Sequence, residues 1–248
     1  NPTGARIVNG GQVLFTNNSV HDNRDAGVDV GTAGATIRNN TIFNNKTGIG
    51  DGIASSNGAI VQNNVVFGNK TGINSNSGGE ISGNRVFNNS SVGILLAGTS
   101  RALSNQVYSN SVGLQTQSSA TGLIANNVIY VNTNFGLFIR SSSTGQKDFV
   151  SNTIYQPVGD AVRIDSNSRA VRIRNNILWV DSGFDINVAP DSAVGVESDF
   201  NLLHKGPDPN AHVGGWAGTV RDTLADWQAA SGQDAASVAA DPRFVDRD

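Results

Sequence analysis

The chain is patterned by a short unit in which one aliphatic residue stands among polar ones, two places after an asparagine. The unit returns at Asn18, Asn40, Asn64, Asn84, Asn105, Asn127, Asn152, Asn176 and Asn201, at intervals of 22, 24, 20, 21, 22, 25, 24 and 25 residues. The residues two places on are Val20, Ile42, Val66, Val86, Val107, Ile129, Ile154, Leu178 and Leu203, aliphatic in every unit. Positions so constant must face one shared core, and the uneven intervals point to insertions confined to surface turns.

A second asparagine follows five places after the anchor at Asn23, Asn45, Asn69, Asn89, Asn110 and Asn132, and lapses at Pro157, Asp181 and Gly206. Asn tolerates left-handed backbone, so both asparagine columns read as corners. Seven to nine places after the anchor comes a small residue and then an apolar one: Gly27-Val28, Gly48-Ile49, Gly72-Ile73, Gly93-Ile94, Gly113-Leu114, Gly136-Leu137, Ala161-Val162 and Gly183-Phe184. A third short strand precedes each next anchor, as in ATIRNN, AIVQNN, GLIANN and AVRIRNN. Three short strands in ~23 residues cannot bury themselves alone and must stack coil upon coil, with the anchor amides hydrogen-bonded in ladders. A β-propeller would need blades of ~40 residues, which this period does not match.

This pattern resembles the right-handed parallel β-helix family, pectate-lyase-like solenoids of the bacterial secreted type, whose N-x-[IV]-x-x-N…GI signature runs from roughly Asn9 to Leu203. The expected fold is therefore all-β, a right-handed parallel β-helix of about nine coils over residues 1–203. Eight intervals at ~4.8 Å per strand give a rod roughly 38 Å long. Residues 204–248 break the pattern and are expected to form a C-terminal capping segment within the same domain. In it, Thr223 or Asp222 caps a short helix that buries Leu224 and Trp227, Gly232 ends it, and AADPRFVDRD forms one extended strand. The segment resembles the terminal module of many bacterial secreted β-helix proteins. There the chain usually continues beyond DP-x-F-V-D, so a piece of a larger protein is expected.

Composition narrows the function classes. Charged residues make up only 15% of the chain against a usual ~25%, so neutral polar groups must cover the surface. A net charge of -3 argues against nucleic acid, which calls for a basic stripe. The lack of cysteine removes disulfides, thiolate zinc sites and thiol catalysis together. No apolar run approaches a membrane span. His21, His204 and His212 lie far apart in the repeat order, so no metal site is expected. No cofactor is expected either; calcium at surface carboxylates would lack a motif, GIGDGIASS occurring once.

Candidate chemistry comes from two columns. Three places after each anchor run His21, Phe43, Phe67, Phe87, Tyr108, Tyr130, Tyr155, Trp179 and His204, either a stacked support for the coils or a row on which sugars could lie. On the second strand, alternate residues should point outward and align between coils. Two places past the small residue the column reads Asp29, Gly50, Asn74, Leu95, Gln115, Phe138, Arg163 and Asp185; two further on it reads Gly31, Gly52, Asn76, Ala97, Gln117, Arg140, Asp165 and Asn187. Arg163 is thus expected beside Asp185, and Arg140 beside Asp165.

A uronate lyase or epimerase needs a cation at the sugar carboxylate and a base for the adjacent C5 proton. Arg140 or Arg163 would serve as the cation and Asp165 or Asp185 as the base, with Gln115, Gln117, Phe138 and Asn187 as substrate contacts. The bland alternative is two cross-strand ion pairs worth ~0.2–1 kcal/mol each. SGFDIN, Ser182 to Asn187, resembles the YGFDPH strand of mannuronan C5-epimerases, which would put Asp185 at the catalytic acid; Ser182, Ile186 and Asn187 depart from that motif, and AGVDVG at Ala26 matches nearly as well. The expectation is a secreted or cell-surface protein that binds or processes a polysaccharide. A non-catalytic adhesion or spacer module is the alternative, and a glycoside hydrolase using Asp165 and Asp185 the third reading.

Overall fold

A computed structural model describes residues 1–8, 10–45, 50–117 and 119–245. The chain winds as a parallel β-solenoid of about nine turns, each turn adding one strand to each of three sheets. The first sheet holds five- and six-residue strands from Thr3–Ile7 to Ala211–Trp216, the second runs from Leu14–Thr16 to Val196–Asp199, and the third from Ser19–His21 to Leu202–Lys205. Every pairing between successive coils is parallel and in register, as in Val86 on Val66 and Val107.

The core is the axial bore of the rod. Of the aliphatic column, Ile42 through Leu203 are at most 1% exposed, and the other two sheets add their own inward rows, such as Val61, Ile81 and Ala102 or Ile73, Ile94 and Leu114. Each residue removed from water there contributes ~1.5–3 kcal/mol.

Two amide ladders flank this bore. From Asn40 to Asn201 each anchor asparagine is buried, and its side-chain oxygen accepts from both the backbone amide and the side-chain amide of the asparagine one coil earlier; for Asn84 onto Asn105 these distances are 2.9 and 3.0 Å. The ladder asparagines themselves do not adopt the left-handed backbone. That conformation belongs to the residue before each, at Asn17, Asn39, Asn63, Gly83, Ser104, Asn126, Ser151, Asn175 and Phe200 in the first column. The sequence doublet NN thus divides two jobs, the first residue turning the chain and the second reaching inward. The second ladder does not lapse after Asn132 but passes to Gln156, whose Oε1 lies 3.0 Å from the Asn132 amide nitrogen. A longer side chain one position earlier does the work of an asparagine, which is why the expected spacing landed on Pro157.

The C-terminal end is closed by an antiparallel strand, Thr219–Arg221, and an eight-residue helix, Leu224–Ser231. Thr223 caps the helix, its side chain accepting from the Asp226 amide, and Gly232 ends it at a φ of 69°. Trp227 is fully buried over the bore with its indole N–H donated to Asp234, while Leu224 packs less completely. Asn201, the last anchor, donates to Asp234 and Ser237, so the cap finishes the ladder. Among the described residues the expected terminal strand reduces to Val238–Ala239, its last three positions, 246–248, lying outside them, and Phe244 lies against Trp179.

Candidate functional site

The charged residues singled out from the sequence lie on the first sheet, on the strands Phe135–Arg140, Asp160–Asp165 and Gly183–Val188. Cross-coil register puts Gln115 beside Phe138, Phe138 beside Arg163, and Arg163 beside Asn187. Arg140 pairs with Asp165 as expected, and Gln117 precedes Arg140 in that same outward column.

Asp185 departs from expectation. It sits in the register position of Ala161 and Gly136, not beside Arg163, and it is fully buried. The small-residue column faces inward: a methyl on Gly136 would come within 2.5 Å of Ile154. The pair that continues the column in this coil is Asp185-Ile186 rather than Gly183-Phe184, since Asp185 lies nine places after its anchor, as Gly136 and Ala161 do after theirs. In the second coil the column runs through Gly52-Ile53, while the expected pair Gly48-Ile49 lies outside the described residues. Neither carboxylate oxygen of Asp185 has a hydrogen-bond partner. Burial pushes its carboxyl well above the ordinary range; Lys205 and the Val180 amide favour the charged form, but neither reaches bonding geometry. It cannot touch a ligand on the outer face, so its assignments as base and as partner of Asp165 in a hydrolase are withdrawn.

The carboxylate that does meet Arg163 is Asp160, which the sequence reading passed over. It stands at the start of its strand, 3.7 Å from one guanidinium nitrogen, while Asp165 lies 3.7 Å from another. Asp160 also accepts from Asn187 at 2.9 Å and from the Phe184 amide at 3.2 Å. Burial nonetheless raises its pKa, these donors and Arg163 opposing the shift. Arg140 stands 4.0 Å from Asp165, and Ser166 donates to Asp165 at 2.7 Å. Phe135 and Phe138 pack at 4.8 Å, with the Arg140 guanidinium over Phe138. Arg140 and Arg163 remain 49% and 29% exposed. The only signal for Asp160 in the sequence was its place before the small residue, one step outside the columns considered.

The aromatic row lies on the outer face of the third sheet. From His21 to Tyr130 the rings stack at 4.7–5.0 Å with planes within 15° of parallel. Their faces are used on one another and their edges point outward, so between these coils no ring face is open to a sugar.

Fold and sheet geometry define a parallel β-helix protein. Residues 1–80 match the family described as a right handed beta helix region. Residues 48–191, more than half the chain, match the family described as periplasmic copper-binding protein (NosD), and the chain belongs to it. No curated protein and no solved structure matches the chain significantly. The family's description is consistent with an extracellular or periplasmic location, and no helix here is long and apolar enough to cross a membrane.

That description also implies copper, and the donor set does not fit it. The chain contains neither cysteine nor methionine, the soft ligands that favour Cu(I). His21 stands on the first coil against Asp22, His204 at the other end against Trp179, and His212 is held by Asp222 at 2.6 Å. Among the described residues, no three His, Cys, Asp or Glu side chains gather closely enough to hold a metal ion.

Proposed function

We propose that this is an extracytoplasmic protein, secreted or displayed at the cell surface, that binds an extended acidic polysaccharide along the outer face of the first sheet. The observation that carries the reading is the gathering of Arg140, Arg163, Asp160, Asp165 and Asn187 on three adjacent coils beside Phe135 and Phe138. The face is open and runs along the rod, which suits a polymer better than a small molecule. A planar guanidinium matches a uronate carboxylate in a two-pronged pair. The resemblance to lyases and epimerases of this architecture supports a processing role in which Arg163 holds the carboxylate and Asp160 takes the C5 proton.

The cluster's net charge depends on Asp160. With both carboxylates ionised the two arginines are balanced, and with Asp160 protonated one positive charge is left over. Because burial raises the Asp160 pKa, acidic-sugar binding should tighten as pH falls through that raised value. The same pairing of all four charges supports a second reading, a non-catalytic spacer.

A panel of uronate polymers tests both. Affinity electrophoresis reads binding, ultraviolet absorbance reads unsaturated sugar, a reducing-end assay reads hydrolysis, and NMR reads epimerisation. Retardation by at least one acidic polymer, weakened roughly tenfold in Arg163→Ala, is expected, since a charge-assisted hydrogen bond contributes ~1.5–3 kcal/mol. Equal retardation of the Arg163→Ala variant would remove this face from consideration, and no response in any assay would favour the spacer.

A further inference from the structure

We infer a second acidic-sugar site, on the third sheet, centred on Arg85. Among the described outward positions of that sheet's strands, Arg85 is the one Arg, Lys, Asp or Glu side chain, its neighbours being Thr41, Val65, Gln106, Val128 and the aromatic row. No carboxylate lies within ion-pair distance of it among the described residues, in contrast to Arg140 and Arg163. Its guanidinium lies 4.9 Å from the Phe87 ring centre and 5.5 Å from that of Tyr108. Cation–π contact of this kind holds the group in place without spending its charge on an anion.

Arg85 forms one wall of a cleft of about 380 Å³, completed by Tyr108, Ser109, Tyr130 and Val131. Such a volume falls in the range of small-ligand sites, and three coils span about 10 Å along the rod, enough for a disaccharide. The lining suits an acidic sugar: a fork for the carboxylate, phenol and serine hydroxyls for ring hydroxyls, and an apolar floor for C–H groups.

Val131 is the independent sign. It sits at the left-handed corner with a φ of 53°, where the other coils carry Asp22, Asn44, Gly68, Asn88 and Ser109. A β-branched residue there costs on the order of 1–3 kcal/mol, and strain of this kind collects at ligand sites. What the misplaced valine adds is an apolar surface facing the cleft.

This site does not depend on the first-sheet cluster, and the test separates the two. Hexagalacturonate and cellohexaose are titrated into the ¹⁵N-labelled protein and its variants, following amide shifts and affinity. Hexagalacturonate should move the amides of Ser109, Tyr130 and Val131, and Arg85→Ala should weaken that binding at least tenfold while Arg163→Ala leaves those shifts in place. Val131→Asn should raise the melting temperature yet lower affinity. The site is overturned if those amides stay still, if cellohexaose moves them equally, or if Arg85→Ala or Val131→Asn binds hexagalacturonate like the parent.

Discussion

Asp185 is a buried acid without a partner, and its energetics run opposite to those of a salt-bridged carboxylate. Burial raises its folded-state pKa above the unfolded value of 3.8. Its favourable contribution is complete below about pH 4 and is lost as pH rises through the folded value, because the unfolded chain then binds fewer protons. Asp185→Asn should melt near the parent's temperature at pH 4 and, at pH 8, about 1–2 kcal/mol more stably, roughly 2–8 °C higher in a melt followed by circular dichroism. Lys147 shows the opposite solution. It too is buried, but its ammonium donates to the carbonyls of Ser143, Gly145 and Arg169 at 2.7–3.0 Å, bridging a loop to the next coil. Lys147→Met leaves three carbonyls unsatisfied and should cost about 2–4 kcal/mol in urea unfolding. Neither burial was legible in the sequence, where both residues look like surface charges, since only the register of the coil decides whether such a side chain meets water or the bore.

At the scale of the element, the strands are too short to stand alone, and the ladders tie each to the next. Asn105 receives two hydrogen bonds from Asn84 and gives others to Ile81 and Asn127. Asn105→Ala removes partners on both sides within the bore, and a loss of about 2–4 kcal/mol is expected from the midpoint of urea unfolding. Asn18→Ala, exposed at the first coil, should cost far less. The glycine column obeys the same close packing: a methyl on Gly93 would meet the Gly113 carbonyl at 2.6 Å and the Val107 side chain at 2.7 Å. Most of these elements were readable because one side chain per coil repeats one task. The misreading at Gln156 fell where the strand lengthens from Val128–Tyr130 to Thr153–Gln156, and that at Asp185 where an early small-then-apolar pair, Gly183-Phe184, stood two places before the position the anchor count gives.

For the whole molecule, the two ends of the rod are unlike. The cap closes the last coil, and the indole of Trp227 occupies the space where a methyl on Gly214 would collide. Trp227→Ala should cost about 3–5 kcal/mol and, by loosening the cover over the bore, promote self-association visible in size-exclusion chromatography. The sequence by itself determined the repeat, the solenoid, its three sheets and the anchor ladder, because each rests on a local chemical preference renewed in every coil. Tertiary structure alone decided which charges meet. Arg163 finds Asp160 and Asn187 rather than Asp185 because contact across coils depends on register, and that register puts Asp185 in the inward column of Gly136 and Ala161.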